Sequence, residues 1–332
     1  MKKFTAIVYA RTMEFVRDRG TFLWNLLFPI VLVVGFSIAF SSNDDTMFKV
    51  GVLGNSTRLD GSFLDLSAIE KIEYDINNPQ LALDKLRRHQ IDMIIDFKNQ
   101  SYYLNNESSS TEVLRSLGRS DLVDFKEKEI NGKAIRYVDW LVPGIIGMNM
   151  LFSCMFGVGF VIVRYRKNGV LKRMKATPVT PLTFITAQMV SRFIIVLITS
   201  ILVFAGTNLF LHFVVNGSYA LLILLTMLAI LCMISLGLIF AARLKSEELA
   251  SGLMNLVTFP MMIFSGVFFS LEGTPQFMQT LSKLFPLTHF IEGARAVMID
   301  GAGLVDILPN IGILSAMTIL FLLIASFFFR WE

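Results

Sequence analysis

The chain has 332 residues, of which 54% are hydrophobic, and a mean hydropathy of +0.61, which excludes an ordinary soluble globular protein. Its net charge of +4 is too small to favour nucleic acid as a partner. The two cysteines, Cys154 and Cys232, lie inside apolar runs, which predicts packing residues rather than a disulfide or a metal site.

Residues 1–20 predict an amphipathic helix along the cytoplasmic face of a membrane, because five basic residues occur there among apolar residues at roughly helical spacing. The basic n-region of a signal peptide is the alternative, but the apolar run that follows is longer than a usual signal-peptide core. Residues 21–40 supply the roughly 20 apolar residues that a transmembrane helix requires, so they predict the first span.

Residues 41–140 differ in composition, since they hold 17 of the 26 acidic and 13 of the 30 basic residues and no long apolar run. Strand and helix patterns alternate along the segment, which predicts a small α/β domain. The predicted strands are 48–53, 72–76, 91–97 and 101–104. The predicted helices are 79–89 and a stretch that follows the serines at 108–110 and runs to about 130. One span separates this domain from the N-terminus, so we expect it to be extracytoplasmic.

Residues 141–332 contain five further apolar runs, which predict transmembrane helices two to six at 141–163, 182–213, 219–242, 249–269 and 307–329. The second run carries Gly147, Gly157 and Gly159, which permit close helix contact. The third has a single charge, Arg192, near enough to its cytoplasmic end that we expect it to reach the interface or to pair with an acidic residue.

The segment 270–306 contains two apolar pieces that are too short to cross a bilayer and are interrupted by prolines and glycines. Such half-helices predict re-entrant helices before the last span. Glu292 and Arg295 lie three residues apart, so we expect an ion pair on one helical face. The predicted fold class is an α-helical polytopic membrane protein with six transmembrane helices, an N-terminal amphipathic helix, re-entrant helices and a small α/β extracytoplasmic domain.

A hydrophilic loop at 164–181 carries six basic residues and no acidic residue. Asn168 and Gly169 can end one helix, and residues 170–175 can form another. Cytoplasmic loops of membrane proteins are enriched in Lys and Arg. A basic, partly helical loop of this kind predicts a cytoplasmic docking site for a soluble partner.

Counting basic residues orients the chain. The cytoplasmic segments would hold five at the N-terminus, six in the loop at 164–181, two in the turn at 243–248 and one at Arg330, whereas the short outer segments hold only Lys283 and Arg295. The positive-inside rule therefore predicts a multi-pass protein with both termini in the cytoplasm.

The sequence contains no GxxxxGK[ST], HExxH, paired-cysteine or GxSxG pattern, so we expect no catalytic residue, no metal site and no site for ATP phosphates. The spans almost lack acidic residues, which argues against an ion-coupled carrier. These patterns predict a transport pathway whose energy source is a separate ATPase.

Three stretches resemble the membrane subunits of type-2 ABC exporters, and with the amphipathic start and the external domain the likeness covers essentially the whole chain. They are RKNGVLKRMKATPVTPL at 166–182, YVDWLVPGIIGMNML at 137–151, and the run from Phe259 to Gly301. In that family a basic helix follows a glycine and precedes ATPV(S/T)P. Many relatives carry an acidic residue just before the glycine, where this chain has Lys167 and Asn168, so the contact here is expected to be more purely basic.

The resemblance implies that two such subunits pair, as a homodimer or a heterodimer, and that two ABC ATPase (nucleotide-binding) subunits dock beneath them. ATP and Mg would bind to those partners, so this chain would need no cofactor and would not be an enzyme. The short coupling helix of the family corresponds to about 169–176 here. The residues expected at the ATPase contact are Asn168, Gly169, Leu171, Lys172, Arg173 and Lys175.

The resemblance also implies a substrate pathway at the dimer interface, lined by the second and fifth spans. The residues that would face it, or simply pack against neighbouring helices, are Asn149, Phe152, Phe156, Asn255, Phe259 and Met262.

The predicted function is that of the permease subunit of an ATP-driven ABC exporter. The subunit would lie in the cell (plasma or inner) membrane of a prokaryote, in contact with membrane lipids. Its substrate would be an amphipathic drug, lipid or peptide-like molecule, moved out of the cytoplasm or the inner leaflet. The alternative is an ATPase-coupled signal or mechanical transmitter that acts on an envelope partner without transport.

Overall fold

A computed structural model gives the structure of the protein. It describes residues 2–39, 48–54, 69–74, 79–87, 91–108, 110–119, 121–132, 137–213, 215–244, 246–269, 271 and 274–328. Parts of the predictions above, at 1, 40–47, 55–68, 75–78, 88–90, 109, 120, 133–136, 214, 245, 270, 272–273 and 329–332, lie outside the described residues. The chain divides into two compact units, a helical unit (Met1–Ile38 and Tyr137–Glu332) and an α/β unit (Ala39–Arg136).

The α/β unit contains a five-stranded sheet with the order β2–β1–β3–β4–β5, in which β3 and β4 are antiparallel and the other neighbours are parallel. Its elements are β1 (Phe48–Leu53), β2 (Ile69–Tyr74), α1 (Pro79–Arg87), β3 (Met93–Asp96), β4 (Ser101–Asn105), α2 (Thr111–Gly118) and β5 (Lys126–Ile130). Alternate residues of the central strands point to opposite faces. Val52 and Ile95 accordingly pack with Leu114 of α2, while Ile94 packs with Leu86 of α1.

The helix predicted to follow the serines at 108–110 and run to about 130 is wrong in its second half. The helix α2 ends at Gly118, and residues 126–130 form the edge strand β5 beside β4. The sequence of β5, KEKEI, is almost entirely charged and exposed, so no alternation of apolar and polar residues marks it as a strand. Pairing with β4 and the contact of Arg115 with Glu127 (2.6 Å) hold it in place.

The helical unit begins with two helices, α3 (Lys2–Arg17) and α4 (Arg19–Ala39). A continuous helical run from Tyr137 to Lys167 follows the α/β unit and consists of α5 (Tyr137–Cys154), a π-helical segment (Met155–Phe160) and α6 (Val161–Lys167). The remaining helices are α7 (Val170–Lys175), α8 (Pro181–Leu211), α9 (Tyr219–Ala241), α10 (Glu247–Phe264), α11 (Gln276–Ser282), α12 (Pro286–Met298) and α13 (Leu304–Phe328).

The run Tyr137–Lys167 and α9 form the centre of the helical unit. Their most apolar stretches are 72% and 61% buried, whereas those of α4 and α13 are each 11% buried. Small residues bring the two central helices together, because a Cβ on Gly159 would lie 2.7 Å from the carbonyl oxygen of Gly237 in α9. The outer faces of α4 and α13 carry exposed apolar side chains such as Val31 and Phe327.

Within the residues that the structure describes, five helices are long and apolar enough to cross a membrane, namely Arg19–Ser37 of α4, the run Tyr137–Lys167, α8, α9 and α13. The predicted fifth span, 249–269, is the 18-residue α10, which is not among these five. The count of six spans therefore stays a prediction. The segment 270–306 contains α11 and α12, and the 13 residues of α12 reach only about 20 Å, less than the hydrocarbon core. Its re-entrant placement also stays a prediction.

We predict that Asn105→Ala lowers the free energy of unfolding of the α/β unit by about 1–3 kcal/mol, because it removes a buried donor. Asn105 Nδ2 donates to the carbonyl oxygens of Leu86 (3.1 Å) and Gly132 (2.8 Å), which joins β4 to α1 and to the chain after β5. The readout is proteolytic cleavage within residues 39–136 of the full-length chain across a urea series. The control Asn106→Ala removes an exposed amide and should change stability by less than about 0.5 kcal/mol. Equal effects of the two substitutions would contradict this role.

Candidate functional site

The basic loop (164–181) reverses the chain through a glycine. The helix α6 ends at Lys167, and Gly169 adopts φ +68°, a left-handed conformation that costs glycine no Cβ clash. The helix α7 starts at Val170, as predicted, and its Leu171 is fully buried in the apolar core of the helical unit. One buried side chain thus fixes a short helix whose other residues remain partly or fully exposed.

The end of α6 is attached to the turn between α9 and α10. Arg166 donates to the carbonyl oxygens of Leu244 and Ala242, the latter at 3.3 Å, and Lys167 Nζ lies 3.3 Å from a carboxylate oxygen of Glu248. These contacts tie the basic loop to the start of α10. Any displacement of α7 and α6 therefore acts on α10 as well.

The carboxylate of Glu248 remains ionised throughout the physiological pH range. Ser246, the N-cap residue of α10, donates to it at 2.6 Å, and this hydrogen bond, together with Lys167, lowers the pKa of Glu248 to about 2. The attachment between the basic loop and α10 therefore does not depend on pH near neutrality.

The six basic residues of the loop divide into inward and outward sets. Arg164, Arg166 and Lys167 contact other parts of the chain, and Arg164 lies 3.5 Å from Glu14. Lys172 and Arg173 are exposed and form no ion pair with any residue that the structure describes. Lys175 and Asn168 are exposed as well. The sequence alone did not distinguish the two sets.

The amphipathic helix α3 is held against α6 by a charged cluster. Arg11 pairs with Glu14 at 2.7 Å and donates to the carbonyl oxygen of Gly157 at 3.0 Å, while Tyr165 donates to Glu14. Burial alone would raise the pKa of Glu14, but the hydrogen bonds from Tyr165 and Arg11 outweigh it and hold the pKa below its usual value. The helix α3 is therefore attached to α6 and to the π-helical segment that precedes it.

An apolar cleft of about 480 Å³ lies between α4, α5 and α10. Four of the predicted pathway residues line it: Asn149, Phe152, Phe259 and Met262. The rings of Phe152 and Phe259 meet edge to face with centroids 6.1 Å apart, so α5 and α10 face each other across the cleft. Phe156 lies outside this cleft in a neighbouring cavity, and Asn255, which is partly buried, is not among the lining residues of either.

The helix α4 supplies lining residues that the sequence reasoning missed. Trp24, Asn25, Phe28 and Leu32 form one side of the apolar cleft, and the rings of Trp24 and Phe28 stack at 5.4 Å. Asn25 is a polar residue within an apolar run, and that signal could have identified this face of the helix.

The neighbouring cavity, of about 330 Å³, is charged, and Arg192 is the most buried of its basic residues. Arg192 forms no ion pair with a described residue, and the residue is only 8% exposed. Its predicted reach to the membrane interface stays a prediction. Its Nε donates to the carbonyl oxygen of Ser153 at 2.7 Å, and its guanidinium lies over the Phe15 ring at 5.2 Å. The lining residues are Arg11, Glu14, Phe15, Asp18, Thr21, Asn25, Phe152, Ser153, Phe156, Gly157, Val161, Arg164 and Arg192.

The ion pair predicted between Glu292 and Arg295 is not formed among the described residues. Glu292 is exposed, whereas Arg295 donates to the carbonyl oxygens of Trp140 (3.1 Å) and Gly266 (2.8 Å) and lies 3.5 Å from the Trp140 ring centroid. Residues 292 and 295 can share a helical face, but α12 packs that arginine against the start of α5. The contact joins α12 to α5 and to the end of α10.

The family model described as ABC-2 family transporter protein matches residues 19–327 of this chain, so the chain belongs to that family. Together with the five helices capable of crossing a membrane, the match makes the chain a multi-pass membrane protein of the ABC-2 permease class.

Several curated relatives are similar over part of the chain. Inner membrane transport permease YhhJ of Escherichia coli (strain K12) is 28% identical over 186 residues, which are 55% of this chain and 49% of YhhJ. Linearmycin resistance permease protein LnrN of Bacillus subtilis (strain 168) is 29% identical over 173 residues, 51% of this chain and 44% of LnrN. Probable multidrug ABC transporter permease YbhR of Escherichia coli (strain K12) is 21% identical over 240 residues, 69% of this chain and 64% of YbhR. For YhhJ and LnrN, the matched region spans about half of the relative's length.

We predict that Arg295→Met lowers the thermal unfolding midpoint of the purified chain in detergent by several degrees, because two carbonyl oxygens lose their donor. Glu292→Gln is the matched control and should leave the midpoint unchanged, since Glu292 is exposed. Equal losses from the two substitutions would restore the ion-pair interpretation.

Proposed function

We propose that this chain is the membrane-spanning permease subunit of an ATP-driven ABC exporter. The observation that carries the proposal is the helix α7, which is anchored by buried Leu171 and presents Lys172 and Arg173 outward without ion-pair partners among the described residues. Two exposed cations on a fixed helix suit an acidic surface on a soluble ATPase. Membership of the ABC-2 family supports the same assignment.

In the proposed topology both termini and the basic loop face the cytoplasm of a prokaryotic cell, and the α/β unit lies outside. The helix α10 is the fifth of six spans, and α11 and α12 are re-entrant. The basic loop supports this orientation through the positive-inside rule. The shortness of α11 and α12 supports re-entry, because neither can cross the hydrocarbon core.

The proposed assembly contains two permease subunits, identical or related, and two ATPase subunits that bind ATP and Mg. The weakly buried α4 and α13 leave apolar surface for lipid or for the second permease. Asn168, Gly169, Leu171, Lys172, Arg173 and Lys175 form the proposed coupling region.

Closure of the ATPase subunits would push α7, and the contacts of the basic loop carry that displacement to both walls of the apolar cleft. One wall, with Phe152, belongs to the run that includes α6. The other, with Phe259, belongs to α10, which Lys167 ties to α6. A single displacement would therefore reach both walls of the cleft, which couples the docking helix to the proposed pathway.

The proposed substrate is an amphipathic drug, lipid or peptide-like molecule taken from the cytoplasm or the inner leaflet. The apolar, aromatic cleft supports this class, and so do the names of two relatives, one a linearmycin resistance permease and one a probable multidrug permease.

We predict that Lys172→Glu/Arg173→Glu weakens binding of the ATPase subunit at least tenfold, or about 1.4 kcal/mol, because the substitutions replace attraction by repulsion. The measurement is copurification of the ATPase with the tagged permease, followed by titration of the purified subunits. Lys283→Glu reverses a charge in the segment between α11 and α12 and serves as the control, with no expected effect. Unchanged copurification of the double variant would refute the docking assignment.

We predict that Gly169→Ala reduces ATP-driven accumulation of an amphipathic dye in sealed vesicles several-fold while ATPase binding persists. A Cβ at Gly169 meets no atom within 4 Å, so the substitution acts only through backbone strain of about 1–2 kcal/mol at φ +68°. Gly252→Ala in α10 also adds its Cβ in open space, but without a positive φ, and should transport normally.

The vesicle assay also separates export from the alternative function. A signal or mechanical transmitter would hydrolyse ATP in the wild-type complex without accumulating any amphiphile. That result, obtained across chemically diverse dyes and lipids, would replace the export proposal.

A further inference from the structure

Arg192 is a buried cation whose charge no described residue neutralises. It is 8% exposed, and its side-chain contacts are the carbonyl oxygen of Ser153 and the face of the Phe15 ring, both of which are neutral groups. A buried charge is strongly disfavoured unless an opposite charge or a polar ligand compensates it. The guanidinium lines the charged cavity rather than a closed core.

The cavity accommodates this guanidinium through a glycine. A Cβ on Gly157 would lie 2.0 Å from Arg192 Cζ, so the group occupies the space that any other residue would fill. Gly157 belongs to the π-helical segment Met155–Phe160. The π-helix is rare in proteins, and where it occurs it is often at a functional site. The backbone is therefore shaped around the charged group.

Among the described residues that line the cavity, positive charges exceed negative charges by one. Its lining contains three arginines, Arg11, Arg164 and Arg192, and two carboxylates, Glu14 and Asp18. Glu14 lies 2.7 Å from Arg11 and 3.5 Å from Arg164, so these cations share a carboxylate that Arg192 lacks.

The second carboxylate is committed to its own helix start. Asp18 accepts hydrogen bonds from the backbone nitrogen of Thr21 (3.1 Å) and from its hydroxyl (2.6 Å), and it forms no ion pair with Arg192. The free position at Arg192 is therefore suited to a ligand with one negative charge.

An apolar extension adjoins the cationic end. Asn25 and Phe152 line both the charged cavity and the apolar cleft, and the Phe152 and Phe156 rings stack at 6.1 Å across their junction. The two cavities together offer a cation at one end and an aromatic, apolar surface at the other.

We propose that the two cavities form one binding site for an anionic amphiphile, whose phosphodiester or carboxylate group binds the Arg192 guanidinium and whose apolar part lies in the cleft beside Phe152. This proposal adds a ligand class to the proposed export function. Only the transport of the ligand rests on that function, because binding can be measured without the ATPase. The ligand is either a membrane lipid that stays in the site or the transported molecule.

The test compares two lipids with the same acyl chains, anionic phosphatidylglycerol and zwitterionic phosphatidylcholine, on the purified full-length chain in a non-ionic detergent. Native mass spectrometry gives the dissociation constant of the first bound lipid. We expect the wild type to prefer phosphatidylglycerol at least tenfold. Arg192→Gln should abolish that preference, and Arg192→Lys should restore most of it.

Two further variants keep the test decisive if Arg192→Gln folds poorly. Gly157→Ala keeps every charge but displaces the guanidinium, so it should reduce the preference severalfold. Arg243→Gln removes an exposed arginine outside the cavity and should change nothing. Equal binding of the two lipids by the wild type, or equal losses in the Arg192→Gln and Arg243→Gln variants, would overturn the site.

The source of the ligand is decided in sealed vesicles that contain the complex with its ATPase and labelled phosphatidylglycerol. ATP-dependent transfer of the label to the opposite leaflet identifies the transported molecule, and retention identifies a resident lipid; both outcomes support the site. Copurification of the ATPase with the Arg192→Gln variant separates the two proposals. If the Arg192→Gln variant keeps ATPase docking but loses the lipid preference, that result supports the binding site independently of the export function. Docking by the Lys172→Glu/Arg173→Glu variant tests only the export function.

Discussion

The attachment of α6 to the turn between α9 and α10 is the contact on which the rest of the helical unit depends. Arg166 and Lys167 provide it through two carbonyl oxygens and the ionised Glu248. Because α6 continues the central helix and α10 carries the opposite wall of the apolar cleft, this small polar cluster connects the two walls of the cleft. Lys167 and Glu248 of this cluster are exposed and retain water, so their pairing costs little desolvation.

Apolar packing and polar contacts have separate roles in this bundle. Glycines such as Gly159 bring the central helices close enough for dispersion contacts, which are the main attraction between helices in lipid. Polar contacts then fix particular positions, as Arg295 does by joining α12 to the carbonyl oxygens of Trp140 and Gly266. Arg192 differs because it is buried and also lines the charged cavity, and for that reason we assign it to the proposed binding site rather than to a structural joint.

Membership of the ABC-2 family defines the class of protein, while the details that distinguish this chain lie in side-chain placement. The relatives match about half to two thirds of their own length at 21–29% identity. At that level of sequence identity, relatives share the course of the helices more often than they share individual side-chain contacts. The outward direction of Lys172 and Arg173 and the location of Arg192 come from the structure of this chain.

The sequence by itself determined the helical class, the long apolar helices, the glycine break at Gly169 and the start of α7 at Val170, because length, hydrophobicity and glycine φ are local properties of the chain. It also placed β1 at 48–53 through its apolar pattern. Only the tertiary structure decided that residues 126–130 form a strand, that Arg295 binds Trp140 rather than Glu292, and that α4 lines the cleft. Each of these depends on contacts between residues that are distant along the chain. Burial and hydrogen bonding in the folded protein decide which partner is contacted, and a local sequence pattern does not contain that information.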